Sequence, residues 1–172
     1  VNLFIPSRAT WQARGARFEM TTRYPYEGAI NVKVAALKKP QKFAVALRVP
    51  GWAKDAQLTV NGKPVATSKD AGYLIVRRRW RECDALASTL PLELRLEATP
   101  GDDKTIAFLH GPMVLAADLG PVDKPFEAAA PALGGGGLLA DFKSVESQQG
   151  IYRAATIARP TALTFSPFYK NY

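Results

Sequence analysis

The chain has one cysteine, Cys83, and one histidine, His110. A lone thiol excludes an internal disulfide framework, so compartment cannot be inferred from sulfur, and it excludes zinc sites built from several cysteines. A lone imidazole removes most metal-ligand and acid–base constellations. Long apolar runs are also missing. None approaches the roughly eighteen residues that a membrane helix requires, so no membrane partner is expected. There is no G-x-S-x-G elbow and no phosphate-binding glycine loop. The opening VNLFIPS has neither the basic start nor the small-residue cleavage site of a secretory leader. It leaves localisation open, because Val1 reads as the middle of a strand.

What is present is an ordinary globular composition. Of 172 residues, 47% are hydrophobic and 22% charged, enough to bury a real core and to favour one domain over 1–172. The formal charge of +8 raises the question of an anionic partner. Its strongest local support is RRRWR, Arg77 to Arg81. On a strand, Arg77, Arg79 and Arg81 share one face, and Arg78 and Trp80 share the other. A solvated or ion-paired strand end is the simpler explanation; acidic partners, including anionic sugars, are the alternative, and nucleic acid is not favoured.

Period-two patterning recurs before residue 119. Ile30, Val32 and Val34 point one way while Asn31 and Lys33 point the other. Phe43, Val45, Leu47 and Val49 form an apolar face opposite Ala44, Ala46 and Arg48. Leu92, Leu94 and Leu96 turn inward, and Glu93, Arg95 and Glu97 outward. One-sided burial of this kind belongs to antiparallel sheet. Turn chemistry separates the runs. Asn61-Gly62 is a strong two-residue hairpin signal, because a type I′ turn wants positive φ at both central positions. Tyr26-Glu27-Gly28 and Pro100-Gly101-Asp102 are further breaks, and Gly111-Pro112 predicts a strand that bends or changes sheets.

Together these features predict an all-β fold: an antiparallel, jelly-roll-like β-sandwich of eight to ten short strands, without a sustained helix. From Leu119 the character changes. GPVDKPFEAAAPALGGGG, continuing to about residue 150, reads as a long, partly mobile Gly/Ala/Pro-rich loop, with AAAPAL as a short helical turn. Alternation returns in IYRAATI and TALTFSPFY, and both ends of the chain read as cut.

The punctuation also carries a family resemblance. LRVPGWA at 47–53 resembles the L-R-[IV]-P-x-W-A signature of β-L-arabinofuranosidase-like glycoside hydrolases, family 127. In the same order, LFIPSRATW at 3–11 is similar to the family's opening strand, TTRYPYEG at 21–28 to its T-x-Y-P-x-x-G turn, and VNGKPV at 60–65 to its V-N-G hairpin. GYLIVRRRWRECD at 72–84 resembles its G-Y-x-x-[IV]-x-R-x-W-x-x-G-D segment and is followed by LPL. HGPMVLAAD at 110–118 and LTFSPFY at 163–169 complete the set. One position departs: Cys83 stands where the family carries a turn glycine, so a different turn type is expected there.

The resemblance implies a division of labour. In this family a helical (α/α)6 barrel carries a zinc-bound cysteine nucleophile and a glutamate acid/base, and the β-rich part follows it. All the matched segments belong to the β-rich part. It therefore implies no catalytic, cofactor-binding or metal-binding residue here, with zinc expected only in the catalytic domain that precedes this region. The implied role is an accessory sandwich whose partner is that barrel, inactive alone. The alternatives are an autonomous carbohydrate-binding module for arabinose-containing glycans and a basic module for anionic partners.

Trp11, Arg48, Trp52 and Trp80 are the candidates for a domain interface or a sugar-stacking platform. Burial at a core or interface is the simpler expectation for the three tryptophans, and an ion pair or domain contact for Arg48. His110, just before Gly-Pro, reads as a satisfied loop histidine. The carboxylates offer no pair that spacing alone can nominate as a glycosidase couple.

Overall fold

In the computed structural model, the described residues are all except 121, 122, 124–131, 134–137, 146–149, 155–157, 160, 161, 171 and 172. Strands dominate, and no α-helix occurs among the described residues. Every strand pairing is antiparallel. The expected all-β sandwich class is what is found. Where length favours one domain, the contacts gather into two compact units, Val1–Leu92 and Glu93–Tyr172. Each sheet draws all its strands from one unit.

The first unit holds β1 (Ser7–Trp11), β2 (Ala16–Thr22), β3 (Ala29–Leu37), β4 (Gln41–Arg48), β5 (Leu58–Val60), β6 (Lys63–Pro64), β7 (Ser68–Asp70), β8 (Tyr73–Trp80) and β9 (Ala85–Thr89). They form two sheets, ordered β1-β2-β3-β9-β5-β6 and β4-β8-β7. The alternation in the sequence is the reason. Ile30, Val32 and Val34 of β3 meet Leu47, Leu74, Val76 and Trp80 of the smaller sheet in one buried core, while Asn31 and Lys33 stay exposed. The opening VNLFI does not join a ladder. β1 starts at Ser7, although Val1 O accepts the Arg48 backbone N–H at 3.0 Å.

Two hairpins close through residues with positive φ. Asn61 (φ 53) and Gly62 (φ 77) join β5 to β6, as the type I′ signal requires. Ala71 (φ 44) and Gly72 (φ 82) join β7 to β8 in the same manner, a turn that the sequence hides behind an alanine.

The second unit holds β10 (Leu94–Thr99), β11 (Asp102–His110), β12 (Met113–Ala117), β13 (Ala132–Leu133), β14 (Phe142–Ser144), β15 (Tyr152–Ala154), β16 (Ala158–Arg159) and β17 (Leu163–Pro167). Six strands form one sheet, β10-β11-β12-β17-β15-β14, and β13 pairs with β16. Its core gathers Phe108, Leu115, Phe142, Ala154, Leu163 and Phe165. Three expectations are corrected. Gly111-Pro112 neither bends a strand nor moves it to another sheet: His110 pairs with Met113, so the dipeptide is a hairpin turn, with Gly111 at φ 54. Within the predicted long loop, Phe142–Ser144 is a strand, because Phe142 stacks on Phe108 at 4.5 Å and gains a buried place. Most of AAAPAL and the four glycines at 134–137 lie outside the described residues. Arg95, expected outward, is half-buried and donates to Gly111 O at 3.0 Å.

The TTRYPYEG segment shows why a glycine closes it. Thr22 Oγ1 donates to Ala29 O at 2.7 Å and accepts the Tyr24 N–H at 2.9 Å, which folds the segment back. Leu90 N–H then donates to Gly28 O at 2.9 Å. A β-carbon on Gly28 would lie 1.9 Å from Leu90 O, a backbone atom that cannot move aside. Gly28→Ala is therefore expected to cost about 3 kcal/mol or more, read as a lower urea midpoint with an unchanged slope.

Candidate functional site

The candidate tryptophans do not form one surface. Trp80, at the end of β8, is 1% exposed, and its Nε1–H donates to Phe43 O at 3.1 Å. Its indole stacks on Phe43 of β4, centroids 5.8 Å apart. Phe43 in turn takes the edges of Phe18 from β2 at 5.9 Å and Trp11 from β1 at 5.8 Å. Trp11 is 41% exposed, with the Arg14 guanidinium 5.2 Å from its ring centroid. A chain of rings therefore runs from buried Trp80 through Phe43 to the rim at Trp11. Phe43, which no sequence signal marks as more than an apolar strand residue, joins them. Edge-to-face and offset arrangements of this kind add about 1 kcal/mol per pair beyond area burial.

Trp52 and Arg48 stand apart from this chain. After Pro50 the backbone reverses, with Ala53 N–H donating to Pro50 O at 2.9 Å, and Trp52 is half-buried against the first unit's core. Arg48 ends β4 exposed. Burial raises the pKa of the half-buried Tyr24 phenol, and Arg48 partly opposes that rise. The predicted residues thus divide into one buried anchor, one rim ring, one turn ring and one surface cation.

The inward-facing arginine of RRRWR anchors a polar node. Arg78 lies on the inner face, its guanidinium 5.3 Å from the Trp80 ring and 3.8 Å from the carboxylate of buried Asp84. Burial works against ionised Asp84. It is outweighed by the Asn61 side-chain amide donating at 2.8 Å, the Arg81 backbone N–H at 2.9 Å, and the Arg78 and Arg81 charges, so the carboxyl is held below its ordinary value. Asn61 also accepts the Ala85 N–H at 2.9 Å. One asparagine therefore shapes its own hairpin and ties it to the Arg81–Asp84 turn.

Cys83 occupies that turn with φ 65, donating its N–H to Val34 O at 2.9 Å. It adopts the left-handed geometry in which a glycine is at ease. The thiol is exposed.

His110 is not a loop residue. It ends β11, is buried, and its Nδ1 lies 2.8 Å from the Tyr152 hydroxyl, while Nε2 is buried without a hydrogen bond. A β-carbon on Gly150 would lie 3.7 Å from its ring. Burial lowers the pKa of His110 and raises that of Tyr152, so both are neutral near pH 7. Tyr152 stands 42 residues away in sequence, and nothing in the local pattern marks the pair.

A family model described as "Beta-L-arabinofuranosidase, GH127 middle domain" matches residues 1–92, the whole of the first unit. The chain belongs to this GH127 family. A search of curated proteins found no match. Among solved structures, a glycoside hydrolase shares 22% identity at a TM-score of 0.64, over 94% of this chain and 31% of its own. A GH127 beta-L-arabinofuranosidase from Geobacillus stearothermophilus T6 shares 19% at 0.65, over 97% and 30%. A GH127 beta-arabinofuranosidase shares 20% at 0.64, over 95% and 31%. At these identities the likeness is one of fold, and this GH127 chain spans under a third of the length of each of those structures.

Two outcomes follow from the geometry. Cys83→Gly should raise stability by about 1 kcal/mol in chemical denaturation, because it relieves left-handed strain at an exposed turn and loses little packing. For His110, the lowered folded pKa means that acid protonates the unfolded chain first. The stability contributed by burying it neutral is complete above about pH 6.5 and is lost as pH falls from there through the folded value. His110→Asn should remove that component from urea titrations compared at pH 7.5 and pH 5.

Proposed function

We propose that these 172 residues are the accessory, non-catalytic β-sandwich portion of a glycoside hydrolase acting on β-L-arabinofuranosides. Their work is to support a helical catalytic barrel lying outside the chain. The observation that carries this reading is the match of residues 1–92 to the GH127 middle domain; a middle domain presupposes a neighbour.

The placement of the rings supports the same reading. A sugar-stacking platform needs several exposed, flat aromatic faces; Trp80 is enclosed, Phe43 is covered by three other rings, Trp52 is half-buried, and of the candidate tryptophans Trp11, at 41% exposed, reaches the surface. Apolar surface lies elsewhere. Leu3 and Ile5 are 63% and 58% exposed on either side of buried Phe4, an apolar strip suited to a covering neighbour. Zinc and the cysteine nucleophile belong, on this proposal, to the barrel. Cys83 on its exposed turn and His110 bonded to Tyr152 each have a local structural use.

The purified chain is expected to release no 4-nitrophenol from 4-nitrophenyl β-L-arabinofuranoside above the buffer rate. It should also leave neutral arabinan unretarded in affinity electrophoresis. Turnover would place the active site within these residues, and retardation by arabinan would make the domain a binding module; either overturns the proposal.

A further inference from the structure

Charge is divided unevenly along the chain. Residues 1–92 hold sixteen Lys and Arg against six Asp and Glu, and residues 93–172 hold seven against nine. The whole positive excess therefore lies in the first unit. Some of it is neutralised locally, by Arg8 with Glu19, Arg23 with Glu27 and Arg78 with Asp84. Four of the other thirteen cations, Lys42, Arg48, Arg77 and Arg79, lie on the outward face of the β4-β8-β7 sheet.

Residues directly opposed in an antiparallel pair share a face. The register sets Lys42 against Arg79, Ala44 against Arg77, Ala46 against Ile75 and Arg48 against Tyr73. Lys42, Arg48, Arg77 and Arg79 are exposed, and among the described residues none of the four is in an ion pair. Arg77 donates to Ser68 Oγ at 2.9 Å. The acid on this face, Asp70, pairs across from Tyr73, six residues along β8 from Arg79. Like charges directly opposite destabilise a sheet, and here Lys42 and Arg79 face each other with no acid between them. Ala44 leaves room beside them, so Lys42, Ala44, Arg77 and Arg79, together with Phe43 and Arg78, line a shallow groove.

We propose that this groove binds an acidic polysaccharide through the carboxylates of its sugar residues, with Arg77 and Arg79 as the principal contacts and Lys42 beside them. The choice of a polysaccharide rests on the glycosidase reading above; the charge and the groove do not. Arg77 and Arg79 stand about 6.8 Å apart along the strand, so each guanidinium fork can take its own carboxylate in bidentate fashion. Single-stranded nucleic acid fits less well, because it needs rings for its bases. Trp80 is enclosed in the core, Phe43 lines the groove but is half-buried among Trp11, Phe18 and Trp80, and Tyr73 lies at the far end with its hydroxyl donating to Asn2.

Affinity electrophoresis of the 172-residue chain through polygalacturonate, fully methyl-esterified polygalacturonate and double-stranded DNA tests this directly. Retardation is expected in polygalacturonate only, weakening steeply between 50 and 300 mM salt as the Debye length shortens and screening grows. Arg77→Ala with Arg79→Ala should weaken it about tenfold or more, with an unchanged thermal midpoint. Equal retardation by DNA would make the face a general polyanion surface, and equal retardation by the esterified polymer would remove the carboxylate from the argument. Absence of binding would also overturn the proposal. The esterified and DNA arms need no variant, so they decide even if the double substitution disturbs folding. Failure here leaves the supporting-sandwich reading intact, whereas turnover of an arabinofuranoside would sink that reading and leave the binding result untouched.

Discussion

The contact between Phe43 and Trp80 is the constraint around which the first unit is arranged. Two sheets in a sandwich need side chains large enough to bridge the roughly 10 Å between them. Trp80 and Phe43 do so from the smaller sheet, and Phe18 and Trp11 meet them from the larger. The indole nitrogen would be costly to bury alone, and Phe43 O satisfies it. This use of the rings bears on function, because an indole enclosed between sheets cannot also serve as a platform for a sugar.

Consecutive arginines meet two different fates because a strand alternates. Arg78 turns inward, lies over the Trp80 ring and approaches Asp84. Arg77 and Arg79 turn outward beside Lys42 and find no carboxylate among the described residues. A half-buried cation held by an acid and an aromatic face contributes to the fold. Unpaired cations on a flat face cost stability and gain only when something anionic arrives. The same five-residue run thus holds a structural residue and a candidate contact surface.

Several family motif positions have structural explanations. Gly28 is required by the backbone of Leu90. Asn61 is required twice, by its own hairpin and by the Arg81–Asp84 turn. Cys83 sits in the left-handed region that favours glycine. These constraints lie in the first unit, the part that matches the GH127 middle domain.

The sequence alone determined the all-β class, the inward faces of β3 and β4, the Asn61-Gly62 hairpin and the split of Arg77 and Arg79 from Arg78, because period-two alternation and positive-φ turn residues act over a few neighbours. The family was legible through ordered motifs for the same reason. Tertiary structure decided the rest. It made Ala71-Gly72 and Gly111-Pro112 hairpins, placed Phe142–Ser144 in a strand, divided the contacts into two units, joined Trp11 to Trp80 through Phe43 and gave His110 its partner Tyr152. Each of these depends on which distant strand supplies the opposing face, and residues tens of positions apart leave no mark on one another's local pattern.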